Sequence, residues 1–158
     1  MTMRGSVVVA SNRAAAGIYE DTTGPLIVDF LTELGFVVEP AAVVPDGEPV
    51  GAAIAAAIAG GARVVITTGG TGLTPTDRTP EVTRALLDFE VPGISEAIRS
   101  YGINKFVPKA ALTRGVAGVA GTCVVVNLPG SQGGVKDGVA VLRPILIHAV
   151  EQAVGSDH

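Results

Sequence analysis

The chain has no tryptophan, two tyrosines and four phenylalanines, so aromatic residues make up only 4% of its 158 positions. Charged residues amount to 16%, below the roughly 25% usual for a globular domain. The net charge is −4, and no basic run occurs. Without clustered positive charge or rings to stack on bases, nucleic acid is excluded as a partner. The single cysteine, Cys123 in T-C-V-V-V-N-L, rules out an internal disulfide framework and reads as a small buried thiol rather than a nucleophile. The two histidines, His148 in an apolar helix and His158 at the chain end, have no metal-ligand company, which argues against zinc. No apolar stretch is long enough to span a bilayer, and Met1 to Gly5 shows no signal-peptide pattern, so a cytoplasmic protein without a membrane partner is expected.

What is abundant is alanine, valine and glycine. Apolar residues reach 47%, enough for one core, and the length suits one domain over residues 1–158. Low surface charge beside an alanine-rich helix leads us to expect a homo-oligomer. Short apolar runs alternate with helical patterns. Ser6 to Ala10 suits a strand buried on both faces. Gly24-Pro25 opens a helix and Gly35 closes it, with Leu26, Ile27, Phe30, Leu31 and Leu34 at helical spacing. Residues 36–44 read as a second strand, with Pro40 marking an edge or bulge. Residues 50–59 read as a helix apolar nearly all round, and therefore buried. A strand over 63–67 follows, then a helix from Pro80 to about Phe89, a shorter one over 94–101, and a possible hairpin within 105–121. A strand over 122–128 and two helices complete the chain. The alternation predicts an α/β fold, a doubly wound, mostly parallel sheet with helices on both faces. Ligands of such sheets bind outside the carboxyl ends of the strands, where four loops should gather: 11–23, 45–49, 68–79 and 129–134.

The third of these loops carries the strongest signal. T-T-G-G-T-G-L-T-P-T-D-R-T-P leaves a buried strand and enters a helix through Thr79-Pro80-Glu81. Gly69, Gly70 and Gly72 permit positive φ and close approach to a ligand, while successive N–H groups can form an anion-binding concavity. Thr71 and its neighbours add hydroxyls. The loop is not a Walker motif, which requires a lysine, nor a dinucleotide fingerprint, because Pro75 stands where the third glycine belongs.

Asp46 and Asp77 both fall at strand-end loops. Two carboxylates there could hold Mg²⁺ beside phosphates, orient a nucleophile, act as a base, or simply cap turns. Asn12 and Arg13 could touch a ligand, since arginine pairs well with phosphate. Ser131 follows a Pro-Gly turn and could serve an anion. Glu20-Asp21 reads as a solvated turn, and Lys105 and Lys109 read as solvent charges. The nucleophile-elbow pattern is absent, so a serine triad is not supported.

T-T-G-G-T-G-L-T-P-T-D-R-T-P-E resembles the signature of the molybdopterin-binding family of molybdenum-cofactor biosynthesis, which includes single-domain molybdopterin adenylyltransferases and the matching domain of gephyrin. V-V-V-A-S-N-R-A-A-A-G-I-Y-E-D-T-T-G-P, V-V-P-D-G and N-L-P-G-S resemble the family's other loops, in the same order and over nearly the whole chain. The resemblance implies the fold argued above, a homotrimer, and transfer of AMP from ATP, with Mg²⁺, to molybdopterin. Molybdate insertion would follow as a separate step, with possible transfer to a molybdate-inserting protein. It implies catalytic and metal-binding roles for Asp46 and Asp77. It places Gly69, Gly70, Thr71, Gly72 and Ser131 at the pterin or its phosphate. Two positions depart: Asn12 stands where many members have aspartate, and Gln132 replaces a proline. A non-catalytic molybdopterin-binding or carrier protein is the alternative.

Overall fold

The computed structural model describes residues 2–156; the reading of His158, and that of the extreme chain ends, lies outside them. Among the described residues seven strands form one sheet: β1 (Arg4–Ala10), β2 (Val37–Val38), β3 (Ala42–Val44), β4 (Val64–Thr68), β5 (Phe89–Glu90), β6 (Ala117–Ala120) and β7 (Cys123–Leu128). Seven α-helices accompany them: α1 (Asn12–Ala15), α2 (Gly24–Glu33), α3 (Glu48–Ala59), α4 (Thr79–Arg84), α5 (Pro92–Asn104), α6 (Gln132–Leu142) and α7 (Leu146–Ala153). A short 3₁₀ helix spans Pro108–Leu112. The sheet runs β2-β1-β4-β7-β6-β5, with β3 also pairing β1. β1 is parallel to β2, β3 and β4, and β4 is parallel to β7. β6 and β5 close one side in antiparallel fashion. This is the doubly wound, mostly parallel α/β sheet expected from the alternation of patterns.

The central strands read as continuous apolar runs because both faces are covered. Along β4 and β7 the residues alternate between two cores. Val64, Ile66, Val124 and Val126 pack with Ile27, Phe30 and Leu31 of α2, Ile94 and Ile98 of α5, and Leu142, Leu146 and Val150 of the last helices. Val65, Cys123 and Val125 face the other way, against Val50 and Ile54 of α3. Burial pushes the Cys123 thiol up to about 12, so it is a core residue and not a reactive one.

Several elements differ from their sequence patterns. The expected strand over 36–44 is two short strands, because the stretch around Pro40 leaves the ladder between them and both pair with β1. Helix α4 ends at Arg84 rather than near Phe89, since Phe89–Glu90 is taken up as an edge strand against β6. The hairpin expected within 105–121 does not form there: the region holds the 3₁₀ turn and β6, and β6 pairs instead with β7 beyond it. Helix α3 is buried only at Val50 and Ile54; its other residues are half-buried or exposed in the single chain. A narrow contact stripe is all that one sheet face requires of it.

Candidate functional site

At the carboxyl end of β4 the chain turns through Gly69 and Gly70, both at positive φ. The fit leaves no space for side chains. A Cβ on Gly69 would lie 2.3 Å from the Ala10 carbonyl oxygen. One on Gly70 would lie 2.2 Å from Thr79 Oγ1 and 3.0 Å from Asp46 Oδ1. The loops after β1, β4 and β7 are thus drawn together. Gly69 N–H donates to the Leu128 carbonyl at 3.2 Å, and the Thr68 hydroxyl donates to the Pro129 carbonyl at 2.6 Å. Below them Asn127 knits the sheet to α4: its Nδ2 donates to the Thr67 and Thr83 hydroxyls, and its Oδ1 accepts from Val116 N–H.

Asp46 enters from the loop after β3. Its backbone N–H donates to Asn12 Oδ1 at 2.9 Å, so the asparagine anchors the acidic loop. A carboxylate at position 12 could accept the same bond, so the asparagine keeps this anchor and loses only the charge. Desolvation raises the Asp46 carboxyl above its ordinary value, the nearby Asp77 raises it further, and the Asn12 backbone opposes them. Asp46 Oδ1 and the fully buried Thr79 hydroxyl are both without a hydrogen-bond partner. Asp77 Oδ2 accepts from Thr74 N–H at 3.0 Å, and a Cβ on Gly72 would come within 2.8 Å of it.

Arg114, far away in sequence, clamps this loop. Its Nε donates to the Gly72 carbonyl at 2.9 Å and its Nη2 to the Asp77 carbonyl at 2.9 Å. Its backbone N–H donates to the Thr71 carbonyl at 2.8 Å. The same guanidinium pairs with Glu81 in a two-pronged contact, at 2.7 and 3.3 Å. The Arg114 guanidinium holds the Glu81 carboxyl below its usual value. Sequence reading missed Arg114. Its position just ahead of a strand, across the sheet from the glycine loop, offers no local signal.

Two cavities flank the loop. The first, about 390 Å³, is the more polar of the two and is lined by Asn12, Arg13, Asp46, Gly69, Gly70 and Asp77, among others. The second, about 710 Å³, is lined by Gly70, Thr71, Gly72, Asp77 and Ser131, and beyond them by α5, the 3₁₀ turn and α6. Gly70, Asp77 and Gly130 belong to both. All nine residues singled out in the sequence therefore lie on the walls of one double cavity. Ser131 caps α6, its hydroxyl accepting from Gly134 N–H at 3.0 Å. Asp21, read as a solvated turn residue, reaches the first cavity's wall but spends Oδ1 on the Thr23 and Gly24 N–H groups. Lys105 and Lys109, read as solvent charges, line the second cavity. Phe106, between Lys105 and Val107, is 93% exposed and is the one non-glycine residue at positive φ among those described.

The donor set fits a hard divalent cation shared with phosphates. Among the described residues no group of three or more histidine, cysteine, aspartate or glutamate side chains gathers as a protein-only metal cage. Mg²⁺ needs no such cage, since it takes one or two carboxylates and completes its shell with phosphate oxygens and water. Asp46 has a free oxygen, and the first cavity holds Asp21, Asp46 and Asp77 against a single arginine. The net negative charge of that wall would oppose a polyphosphate arriving without a countercation.

Residues 6–148 match the family described as "Probable molybdopterin binding domain". The chain is 42% identical over 155 residues to a molybdenum cofactor biosynthesis bifunctional protein of Synechococcus elongatus, with 97% of this chain and 48% of that protein aligned. The chain thus spans about half the length of that relative. It is 36% identical to a molybdopterin adenylyltransferase of Pyrococcus furiosus, covering 96% of this chain and 92% of the relative. Among solved structures, the molybdopterin biosynthesis Mog protein from Mycobacterium ulcerans superposes with a TM-score of 0.92 at 48% identity, covering 96% of this chain and 99% of that one.

Proposed function

Because the chain belongs to the molybdopterin-binding domain family of molybdenum-cofactor biosynthesis, we propose that it is a molybdopterin adenylyltransferase that uses Mg²⁺ and ATP. The observation that carries this reading is the double cavity. Two chambers of different character meet at Gly70, Asp77 and Gly130, as a reaction that joins two substrates end to end requires.

ATP occupies the polar chamber and molybdopterin the larger one, with its terminal phosphate at the shared wall. An oxygen of that phosphate attacks the α-phosphorus of ATP. A new P–O–P bond forms, the bond to the β-phosphate oxygen breaks, and pyrophosphate leaves. The attacking oxygen is already ionised, so neither a general base nor a covalent enzyme intermediate is needed. Asp46 and Asp77 would hold Mg²⁺, which supplies charge neutralisation on the polyphosphate. Arg13 faces the phosphates from the other wall. The backbone of Gly69 to Gly72 fixes the anions without side-chain reorganisation, and Ser131 holds the phosphate end of the pterin substrate. Arg114 keeps Asp77 and the glycine loop in place.

The test is to follow adenylyl-molybdopterin by mass spectrometry with purified protein, molybdopterin, ATP and Mg²⁺, beside Asp46→Asn and Asp77→Asn. Product from the natural sequence, lost in either variant, supports the enzyme. Tight pterin binding without product overturns it in favour of a carrier. The protein works in the cytoplasm as a homotrimer and passes its product to a molybdate-inserting protein. Mass in solution tests the assembly, and a monomer would refute it. Among the described residues no helix is long and apolar enough to cross a membrane.

A further inference from the structure

The second cavity contains a charged pair with no role in phosphate chemistry. Asp137, in the middle of α6, is only 9% exposed, yet it lines the cavity. Its Oδ1 accepts from Lys105 Nζ at 2.8 Å. No hydrogen bond from the described residues reaches Oδ2. That oxygen is not sealed in protein but opens onto the cavity. Lys105 is itself held, with Nζ 5.3 Å from the centroid of the Tyr101 ring. Space beside Oδ2 is kept clear by Gly102: a Cβ there would stand 3.7 Å from that oxygen and 2.7 Å from Ala110 Cβ. The pair therefore presents a carboxylate oxygen with no protein donor to an opening rather than to packed protein.

Its distance along α6 from the phosphate end is also informative. Ser131 caps the helix beside the shared wall, whereas Asp137 sits in its middle. A substrate anchored by phosphate at Ser131 must extend its far end toward Asp137, Lys105 and the 3₁₀ turn. We propose that Asp137, oriented by Lys105, is a specificity residue that reads the 2-amino-4-oxopyrimidine edge of the pterin ring. That edge carries two adjacent donors, N3–H and the 2-amino group, which a carboxylate can accept in parallel. Oδ2 is free for one, and Oδ1 retains a lone pair for the other beside its lysine bond. Ring systems lacking the amino donor leave Oδ2 unpaired and are rejected. This inference rests on the pterin reading of the second cavity.

The experiment is fluorescence titration of the full chain with 6-hydroxymethylpterin and with 6-hydroxymethyl-lumazine, in which an oxo group replaces the 2-amino group. The natural sequence is expected to bind the pterin at least about tenfold more tightly, the discrimination given by one charge-assisted hydrogen bond. In Asp137→Asn the preference should fall to about threefold or less, while Mg-ATP affinity, measured by calorimetry, stays unchanged and reports an intact fold. Equal affinity of the natural protein for both compounds overturns the proposal without recourse to any variant. A preference that survives Asp137→Asn also overturns it, and leaves the pterin reading of the cavity standing. If the natural protein binds neither compound, the pterin reading fails and takes this inference with it.

Discussion

Replacing Asp46 by asparagine should stabilise the ligand-free protein while abolishing adenylyl transfer. Asp46 is half-buried and raised in pKa by desolvation first and by Asp77 second, and its Oδ1 has no partner. An acid whose folded-state pKa lies above its unfolded value of 3.8 binds more protons folded than unfolded. Its ionisation therefore costs the fold nothing at acid pH, and the cost develops as pH rises through the elevated value. The asparagine amide removes that charge. The site is partly open to solvent, so screening limits the gain to about 1 kcal/mol, or roughly 2–4 °C in Tm for a chain of this size. The assay is thermal unfolding of both proteins at a series of pH values without metal. The difference in Tm should be near zero at about pH 4 or below and grow toward neutral pH. Added Mg²⁺ and ATP should raise the Tm of the natural protein and leave the variant unmoved. A variant less stable than the natural protein at neutral pH, or a Tm difference independent of pH, would refute the reasoning that this carboxylate is strained for function.

Gly70→Ala should lose ligand binding and about 1–3 kcal/mol of stability, because the residue is held at φ +68 with Thr79 Oγ1 2.2 Å from the new Cβ; chemical denaturation and Mg-ATP calorimetry check both parts. Arg114→Met should cost only about 1 kcal/mol in stability, since its ion pair with Glu81 is partly exposed. Its turnover should drop roughly a hundredfold as the loop bearing Asp77 shifts, which single-turnover kinetics would show. Cys123, buried with a thiol pushed up to about 12, should resist thiol reagents at neutral pH until global unfolding; rapid labelling of the native protein would contradict its place in the core.

The glycine loop was legible because its chemistry is local. Gly69, Gly70 and Gly72 occupy consecutive or near-consecutive positions that a turn pattern makes visible, although two of the groups that exclude their side chains, Ala10 and Asp46, come from other loops. Asp46 and Asp77 stood out by their place at strand ends. Their mutual repulsion did not, because it depends on β1, β3 and β4 lying side by side. Likewise 36–44 read as one strand, since apolar content flanks Pro40 on both sides and only pairing with β1 shows the gap. Lys105, just past the end of α5, and Asp137, within α6, are thirty-two positions apart, and nothing local marks them as a pair.

By itself the sequence determined the alternation of the main strands and helices and the mostly parallel character of the sheet, though not α1, β5 or the division of β2 from β3. Those properties follow from periodicity and turn chemistry, which act over a few residues. Only the tertiary structure decided that the loop divides two cavities, that Asn12 holds the Asp46 loop, and that Arg114 clamps Thr71, Gly72 and Asp77 at once. Such contacts arise when crossover connections bring distant segments to one sheet edge. The direction and partner of a polar side chain are set there by geometry that no local pattern encodes.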